Sequence, residues 1–299
     1  MNENQKIHNI KELIKDYSIE TTPNVYEKYG GLKDLLNINN NIYITYLPDE
    51  DPNRVIDTAK KINEEGFRAV PHLPARTIND FQDLERYIGS LSEVAGCNKI
   101  LVIGGGAKKA GKIESSLRVL QSDFLSKYNF ETVGVAGHPD GNPDISKVEL
   151  DKAIIEKNKF AKNVDYKIYI TTQFFFEAKS LERWENHLMS IGNELEIHAG
   201  IPGPASLKIL ISYAKSCGIG NSIKFLTKQA LNITKLATTS MPDKLILDIS
   251  NYKLNTPNTK LKKLHLYAFG GMKKTSNWMN EIIEKPLELK KNNGFKIVD

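Results

Sequence analysis

The sequence predicts a (β/α)8 barrel, and three observations lead to this fold class. Strand-like and helix-like segments alternate eight times along the 299 residues. A chain of this length commonly forms one α/β barrel unit. Polar residues that packing does not explain fall at the carboxyl ends of the strands, which meet at one mouth in a barrel. We therefore expect a single barrel domain over residues 1–299, with residues 1–15 as a peripheral N-terminal segment.

Each predicted strand is a short run of β-branched, aromatic or aliphatic residues that ends at a turn signal. Pro23 and Pro48 stop the first two strands, and Pro71 lies near the end of the third, where a missing backbone donor is tolerated. In chain order the runs are Tyr17–Thr21, Ile42–Tyr46, Phe67–Leu73, Lys99–Ile103, Thr132–Ala136, a run that starts at Tyr169, Leu195–Ala199, and Leu264–Phe269.

Helices are predicted between these strands from apolar residues at helical spacing and from capping residues. We place them around Leu32–Leu36, over Asn53–Glu65, from a Thr77 cap towards Leu91, and over Ser146–Lys162. The connection between the seventh and eighth strands is the longest, so we expect extra helices there. A doubly wound open sheet is the alternative fold, but the first predicted strand is followed by no glycine-rich fingerprint.

Composition and charge exclude several function classes. The chain is 40% hydrophobic and 26% charged with a net charge of +5, which is typical of a globular protein. It has no basic block interleaved with aromatics, so nucleic-acid binding is not expected. It also has no apolar run near the ~20 residues of a membrane span and no signal peptide at its start, so we expect a cytoplasmic protein. Cys97, Cys217 and the six histidines form no metal-type set, so no metal is expected.

The sixth strand ends in the run Thr171–Phe176, which places an amide, Gln173, beside three phenylalanines. Because strand side chains alternate between faces, three successive aromatics cannot all face one core. A planar heteroaromatic ligand would use both features, hydrogen bonding to the amide and packing on the rings. A buried strand entering a helix is an equally good interpretation of the run alone.

Several other strand ends carry chemistry-bearing residues. Glu20 is a candidate general acid, because a ligand covering the mouth would desolvate the carboxyl and raise its pKa. His72 follows the third strand, and Gly104–Gly106 would allow close backbone approach to a ligand. The Gly/Pro-rich loop from Gly137 to Pro143 has a fixed shape that favours ligand binding. A solvated loop acid, a core histidine and a plain turn are the alternatives for the first three.

These runs together resemble the methylenetetrahydrofolate reductase family, from Ser18 to Phe269. The run Ile170–Phe176 resembles its Thr-Gln-Phe-Phe-Phe segment, and Pro71–Leu73 resembles its Pro-His-Leu strand end. The loop from Gly137 to Pro143 resembles its Tyr-Pro-Glu-Gly-His-Pro loop. His265–Tyr267 is similar to its last His-Phe-Tyr strand.

The resemblance implies an FAD-dependent barrel enzyme in which NAD(P)H reduces the flavin and hydride passes to 5,10-methylenetetrahydrofolate, giving 5-methyltetrahydrofolate. It implies that Glu20 is the catalytic general acid, and it implies a homo-oligomer. The substrate-binding residues implied are Gln173, Phe175 and Gly106. The FAD-binding residues implied are Thr45, His72, Gly104, Gly105, His138, Asn142, Asn158 and Lys162. Asn158 and Lys162 are four apart, so one helix face can present both.

The chain departs from the family where the fourth strand ends. The family has Leu-Arg-Gly-Asp there, and this chain has Ile103 followed by Gly104–Gly106. Loss of the aspartate removes a negative charge near the reactive ring, which favours reduced, anionic flavin and motivates a reaction in the oxidative direction. The alternative function is a non-reductase folate-binding barrel, either a methyl-transfer protein or a folate-binding subunit, that has lost the flavin role.

Overall fold

The computed structural model describes residues 2–37, 40–105, 111–217, 226–227, 239–291 and 294–298. Gly106 lies outside this part of the chain. The strands described are β1 (Ser18–Thr21), β2 (Asn41–Ile44), β3 (Arg68–Pro74), β4 (Lys99–Ile103), β5 (Thr132–Gly137), β6 (Lys167–Thr172), β7 (Glu196–Pro202), β8 (Ala205–Ser206), β9 (Thr239–Ser240), β10 (Leu261–Tyr267), β11 (Leu287–Leu289) and β12 (Phe295–Ile297). The helices described are α1 (Glu3–Ile14), α2 (Pro23–Tyr29), α3 (Pro52–Glu64), α4 (Phe81–Glu93), α5 (Ser116–Leu120), α6 (Phe124–Lys127), α7 (Lys147–Ala161), α8 (Ala178–Ser190), α9 (Leu207–Ser216), α10 (Asp243–Asn255) and α11 (Met272–Glu284).

Eight of the strands close into a barrel, which confirms the predicted fold class. Their order around the barrel is β1, β10, β7, β6, β5, β4, β3, β2. The pairs β1–β2, β2–β3, β3–β4, β4–β5 and β7–β10 run parallel. Both α9 and α10 lie between β7 and β10, as expected from the length of that connection. A two-strand ladder of β8 and β9 lies in the same interval.

The helix after β1 begins earlier than the sequence predicted. Pro23 does stop the strand, but it also opens α2, and the Thr22 hydroxyl accepts a hydrogen bond from the Val25 N–H at 3.2 Å. A proline at the first helical position preceded by a threonine cap is a strong helix start. Residues 32–36 form turns instead of the predicted helix, and the Leu32 N–H donates to the Glu65 carboxylate.

The start of α4 is a second correction. Its N-cap is Asp80, whose carboxylate accepts from the Asp83 N–H at 2.9 Å. Thr77 instead lies in a 3₁₀ turn, Ala75–Thr77, and its hydroxyl donates to the Pro74 carbonyl. The predicted helix over Asn53–Glu65 is confirmed as α3, whose apolar stripe is fully buried.

Two sets of residues each form a compact unit. The first comprises residues 18–137 and 152–171 and contains β1 to β5 and nearly all of β6. A cluster of Tyr43, Val70, Leu101 and Tyr169 is part of its core. The second comprises residues 1–17, 138–151 and 172–299 and contains β7, β10 and the two terminal segments.

The N-terminal segment is a packed helix within the second set. In α1, Ile10, Leu13 and Ile14 are buried, and the helix contacts α10, α11 and β11. The Lys11 ammonium donates to the carbonyls of Ile283 and Lys285, at 3.1 and 2.8 Å, at the C-terminal end of α11. A cation there satisfies carbonyls that the helix itself leaves without a donor.

Within the described ranges, no helix combines the length and the apolar character that crossing a bilayer requires.

Candidate functional site

A carboxylate, a hydroxyl and an imidazole come together on the first three strands. Glu20 pairs with Tyr43 in the β1–β2 register, and the Thr45 N–H continues this pairing by donating to the Thr21 carbonyl at 2.9 Å. Tyr43 and Thr45 are two apart, so their side chains lie on the same face of the strand. The register therefore carries the Thr45 hydroxyl to the carboxylate of Glu20.

The two carboxylate oxygens of Glu20 have different neighbours. The Thr45 hydroxyl donates to Oε2 at 3.2 Å, and the His72 Nε2 lies 3.5 Å from Oε1. The Glu20 side chain is 15% exposed and that of His72 is 6% exposed. The carboxylate is thus fixed in orientation while it keeps access to the exterior, which suits a group that exchanges a proton with a ligand. The structure brings together three predicted site residues here.

His72 is positioned by contacts that leave its imidazole next to the carboxylate. The Tyr87 hydroxyl donates to the His72 carbonyl at 3.1 Å. The Tyr43 ring meets the imidazole edge to face, with ring centroids 6.2 Å apart. His72 is buried, as the alternative of a core histidine expects, and its imidazole also lies beside the carboxylate of Glu20.

Tyr43 and Tyr169 form a hydrogen-bonded layer within the same unit. Their hydroxyls are 2.7 Å apart, and the Thr171 hydroxyl is 3.4 Å from that of Tyr43. Burial raises the pKa of Tyr43 to about 12, and the negative charge of Glu20 adds to this shift. Gly134 makes room for the layer, since a Cβ there would lie 3.0 Å from the Tyr169 ring. Tyr43 therefore keeps its proton and can only donate or accept hydrogen bonds.

Gly104 and Gly105, which follow β4, differ in why the structure accommodates a glycine at each position. Gly105 has φ +85°, and a Cβ on it would lie 2.9 Å from the Pro74 Cβ. A turn and a close approach thus both require glycine at 105. A Cβ on Gly104 would meet no atom of the described residues within 4 Å, so packing among them does not explain that glycine. The open face of Gly104 fits the predicted approach of a ligand.

The loop after β5 is shaped by its own hydrogen bonds. The Gly141 N–H donates to the His138 carbonyl at 3.0 Å, and Gly141 has φ +80°. The Asn142 side-chain oxygen accepts from the Asp144 N–H at 2.9 Å. Asn142 is therefore engaged in building the turn, and its Nδ2 is the group left to meet the predicted cofactor. His138 is half-buried.

The predicted pair on α7 does not share a helix face. The helix ends at Ala161, so Lys162 lies one residue beyond it and is exposed. Asn158 is buried, and its Nδ2 donates to the Ile154 carbonyl at 2.9 Å. The spacing of four residues predicted a common face only on the condition that the helix continued through residue 162.

Lys157 is a residue that the sequence interpretation missed. It is only 6% exposed, and it makes no hydrogen bond or ion pair with residues that the structure describes. Burial lowers the pKa of its ammonium to about 8. Ile154, Lys157 and Asn158 share the buried face of α7 at i, i+3, i+4 spacing, and a lysine in that stripe was the available signal.

In the second unit, Gln173 directly follows β6 and is half-buried. Its amide makes no hydrogen bond within the described ranges, so donor and acceptor are both available to a ligand. Phe175 is fully buried, and its N–H donates to the Gly200 carbonyl. Phe175 thus belongs to the core, and its predicted substrate contact has no exposed surface to act through. The alternation argument holds for the partly buried Phe176.

Phe174 anchors an aromatic cluster. Its ring meets those of Phe176, Tyr267 and Phe269 edge to face, with centroids 4.7 to 5.7 Å apart. Tyr213 of α9 stacks on Phe269 at 4.0 Å. The first and third of the three phenylalanines therefore belong to this cluster, and the run as a whole fixes the backbone that carries the preceding glutamine.

A cavity of about 690 Å³ lies next to α8 and α10 in the second unit. Phe176, Leu245 and Tyr252 line it together with the charged groups of Glu182 and Asp248. Among the described residues, none of those predicted to bind substrate or cofactor lines this cavity.

The sequence matches the methylenetetrahydrofolate reductase family over residues 35–277, which is more than half of the chain. The chain belongs to this family. Its members act in folate one-carbon metabolism, and the chain is accordingly an enzyme of folate chemistry. The matched range includes Thr45, His72 and Gln173 but begins after Glu20, so the place of Glu20 rests on the β1–β2 register described above.

Solved structures with a similar course of the chain include two of bacterial origin. One is a Yersinia pestis DHPS with a pterine–sulfa conjugate, with 12% identity, a TM-score of 0.47, and coverage of 92% of this chain and 94% of that chain. Another is the dihydropteroate synthase from Thermus thermophilus, with 9% identity, a TM-score of 0.45, and coverage of 90% of this chain and 93% of that chain.

Proposed function

We propose that the protein is an FAD-dependent oxidoreductase that interconverts 5,10-methylenetetrahydrofolate and 5-methyltetrahydrofolate, with NAD(P)H as the electron partner. One observation carries this proposal beyond the family match. The Glu20 carboxylate is held between the Thr45 hydroxyl and the His72 imidazole and remains 15% exposed. That is the arrangement of a proton donor that must reach a ligand.

The residues present fit a flavin dinucleotide. The cofactor has a diphosphate, and Lys157 offers a buried ammonium without an anion among the described residues. Thr45, His72 and Asn158 carry the hydroxyl, imidazole and amide groups that the resemblance assigns to the cofactor, and Gly104 has no side chain to obstruct its approach. On α7 we propose Lys157 as the cation in place of the exposed Lys162. When bound, the flavin would supply the hydride-transfer chemistry.

Glu20 would supply the proton that the folate reaction needs. Conversion of the methylene bridge to a methyl group takes up one hydride and one proton, and the ring nitrogen that leaves the bridging carbon needs that proton. Thr45 holds Oε2, which leaves the Oε1 side of the carboxyl towards His72. In the reverse direction the same carboxylate would accept the proton. Gln173 would hydrogen-bond the pterin through its free amide.

We favour the oxidative direction for this branch of the family. Gly106 stands where the family resemblance places an aspartate, so this position supplies no carboxylate to oppose negative charge on a reduced ring. An uncharged strand end therefore favours reduced, anionic flavin, which is the product of methyltetrahydrofolate oxidation.

The experiment that tests the function follows each half-reaction separately. Purified protein with FAD should show a flavin spectrum that NADH or NADPH bleaches and that 5-methyltetrahydrofolate also bleaches. Glu20→Gln should slow the folate half-reaction on the order of 100-fold or more while leaving reduction by nicotinamide nearly unchanged. The control is Glu93→Gln, because Glu93 is exposed at the end of α4.

Two outcomes would contradict the proposal. Equal loss in both half-reactions of Glu20→Gln would show that Glu20 acts on something other than proton transfer to folate. Protein that binds folate and takes up no flavin would identify the non-reductase folate-binding barrel instead.

A further inference from the structure

Arg76 carries a guanidinium that has no acceptor in the described part of the chain. It lies in the 3₁₀ turn directly after β3, and it is half-buried. No described carboxylate, carbonyl or ring contacts its side chain. A guanidinium stays charged and has five N–H donors, so without a protein acceptor it relies on water or on a ligand for its hydrogen bonds.

The turn holds Arg76 firmly beside the end of β4. The Arg76 N–H donates to the Gly104 carbonyl at 3.0 Å. The Ile78 N–H closes the turn on the Ala75 carbonyl at 3.2 Å, and both residues are buried. Because these hydrogen bonds fix the backbone of the turn, the guanidinium can occupy only positions within reach of the Arg76 side chain.

The space within reach of the Arg76 side chain borders the end of β4, where Gly104 and Gly105 have no side chains. A Cβ on Gly104 would have none of the described atoms within 4 Å, and Gly105 turns back against Pro74. Neither glycine offers a carboxylate to neutralise the arginine. Arg54 shows the contrast, because its guanidinium is bound by Glu50, Glu27 and Asn24.

We propose that Arg76 and the open backbone at Gly104 form an oxyanion subsite at the carboxyl ends of β3 and β4. The forked guanidinium binds two oxygens of one phosphate or carboxylate. This inference rests on the proposed function, which provides two sources of such a group: the diphosphate of FAD and the glutamate carboxylates of the folate.

Ligand binding to Arg76→Gln and Arg76→Lys tests the subsite. Apoprotein is titrated with FAD and with riboflavin, and then with 5-methyltetrahydrofolate and with 5-methyltetrahydropteroate, which lacks the glutamate. We expect Arg76→Gln to weaken FAD binding on the order of 10- to 100-fold, with riboflavin unaffected and Arg76→Lys intermediate. The control is Arg183→Gln, because Arg183 is exposed on α8. Circular dichroism and melting temperature confirm that the variants fold.

The different ligands distinguish the two possible sources of the oxyanion. They also separate failure of the subsite from failure of the proposed function. A loss confined to glutamylated folate would assign the subsite to the folate carboxylate and still support it. Wild-type binding that Arg76→Gln leaves unchanged for every ligand would overturn the subsite and leave the proposed function standing. Wild-type protein that binds neither flavin nor folate would overturn both.

Discussion

At the scale of single residues, Lys157 shows a conflict between stability and binding. Its ammonium is buried without an anion among the described residues, and its pKa falls to about 8. A lysine in the unfolded chain has a pKa near ~10.4. The folded protein therefore carries a cost of holding the charge that is fully present below pH ~8 and disappears as the pH rises towards ~10.4.

We expect Lys157→Met to stabilise the ligand-free protein at pH 7 by on the order of 1–3 kcal/mol, since one pKa unit corresponds to ~1.4 kcal/mol. The gain should fall as the pH rises above ~8 and be mostly lost by pH ~11, above both pKa values, where the wild-type lysine is largely neutral in both states. Urea unfolding at the two pH values measures it. The same substitution should weaken FAD binding, because the buried cation is lost.

Lys162→Met is the matched control for this prediction. Lys162 is exposed just past the end of α7, so its removal should change stability by less than about 0.5 kcal/mol at either pH. A Lys157→Met variant that is less stable than wild type at pH 7 would show that the ammonium has a favourable partner.

At the scale of elements, the turn after β4 contains two glycines with different roles. Gly105 is required by its backbone conformation, whereas Gly104 leaves space for a ligand. Gly105→Ala should destabilise the protein by about 1–3 kcal/mol, because φ is +85° and the new Cβ would lie 2.9 Å from that of Pro74. Gly104→Ala should leave the melting temperature nearly unchanged, since its Cβ would lie more than 4 Å from every neighbour in the described part of the chain.

The same two variants report on ligand approach. A methyl group at residue 104 projects into the space that we assign to the oxyanion, so Gly104→Ala should weaken FAD binding without loss of stability. Equal melting temperatures for the two variants would contradict the division of roles between these glycines.

At the scale of the whole molecule, the sequence predicted the eight barrel strands because their apolar runs are local signals. It could not place Lys157, because the burial of a lysine depends on which helix face turns inward. It also misjudged the helix after β1, since Pro23 both ends a strand and opens α2, and local composition does not distinguish these. The Glu20–His72 contact joins residues on different strands, and only the barrel register sets its 3.5 Å distance.

The hydrogen bonds from Lys11 of α1 to the C-terminal end of α11 give the last prediction. Lys11→Met should lower the free energy of unfolding by about 1–2 kcal/mol, because two carbonyls lose a charged donor. Lys6→Met is the control on the same helix, since the Lys6 side chain has no partner within the described residues. Denaturant midpoints with equal slopes would measure the difference, and equal midpoints would contradict it.

The packing of α1 against the C-terminal part of the chain sets an order of events during synthesis. The Glu3 carboxylate accepts from the Leu289 N–H, and these residues are 286 positions apart. A ribosome adds ~5–20 residues per second, so α1 leaves it many seconds before its partners exist. Helix α1 is therefore made long before it can dock, and until then the apolar stripe of Ile10, Leu13 and Ile14 lacks the helices that bury it.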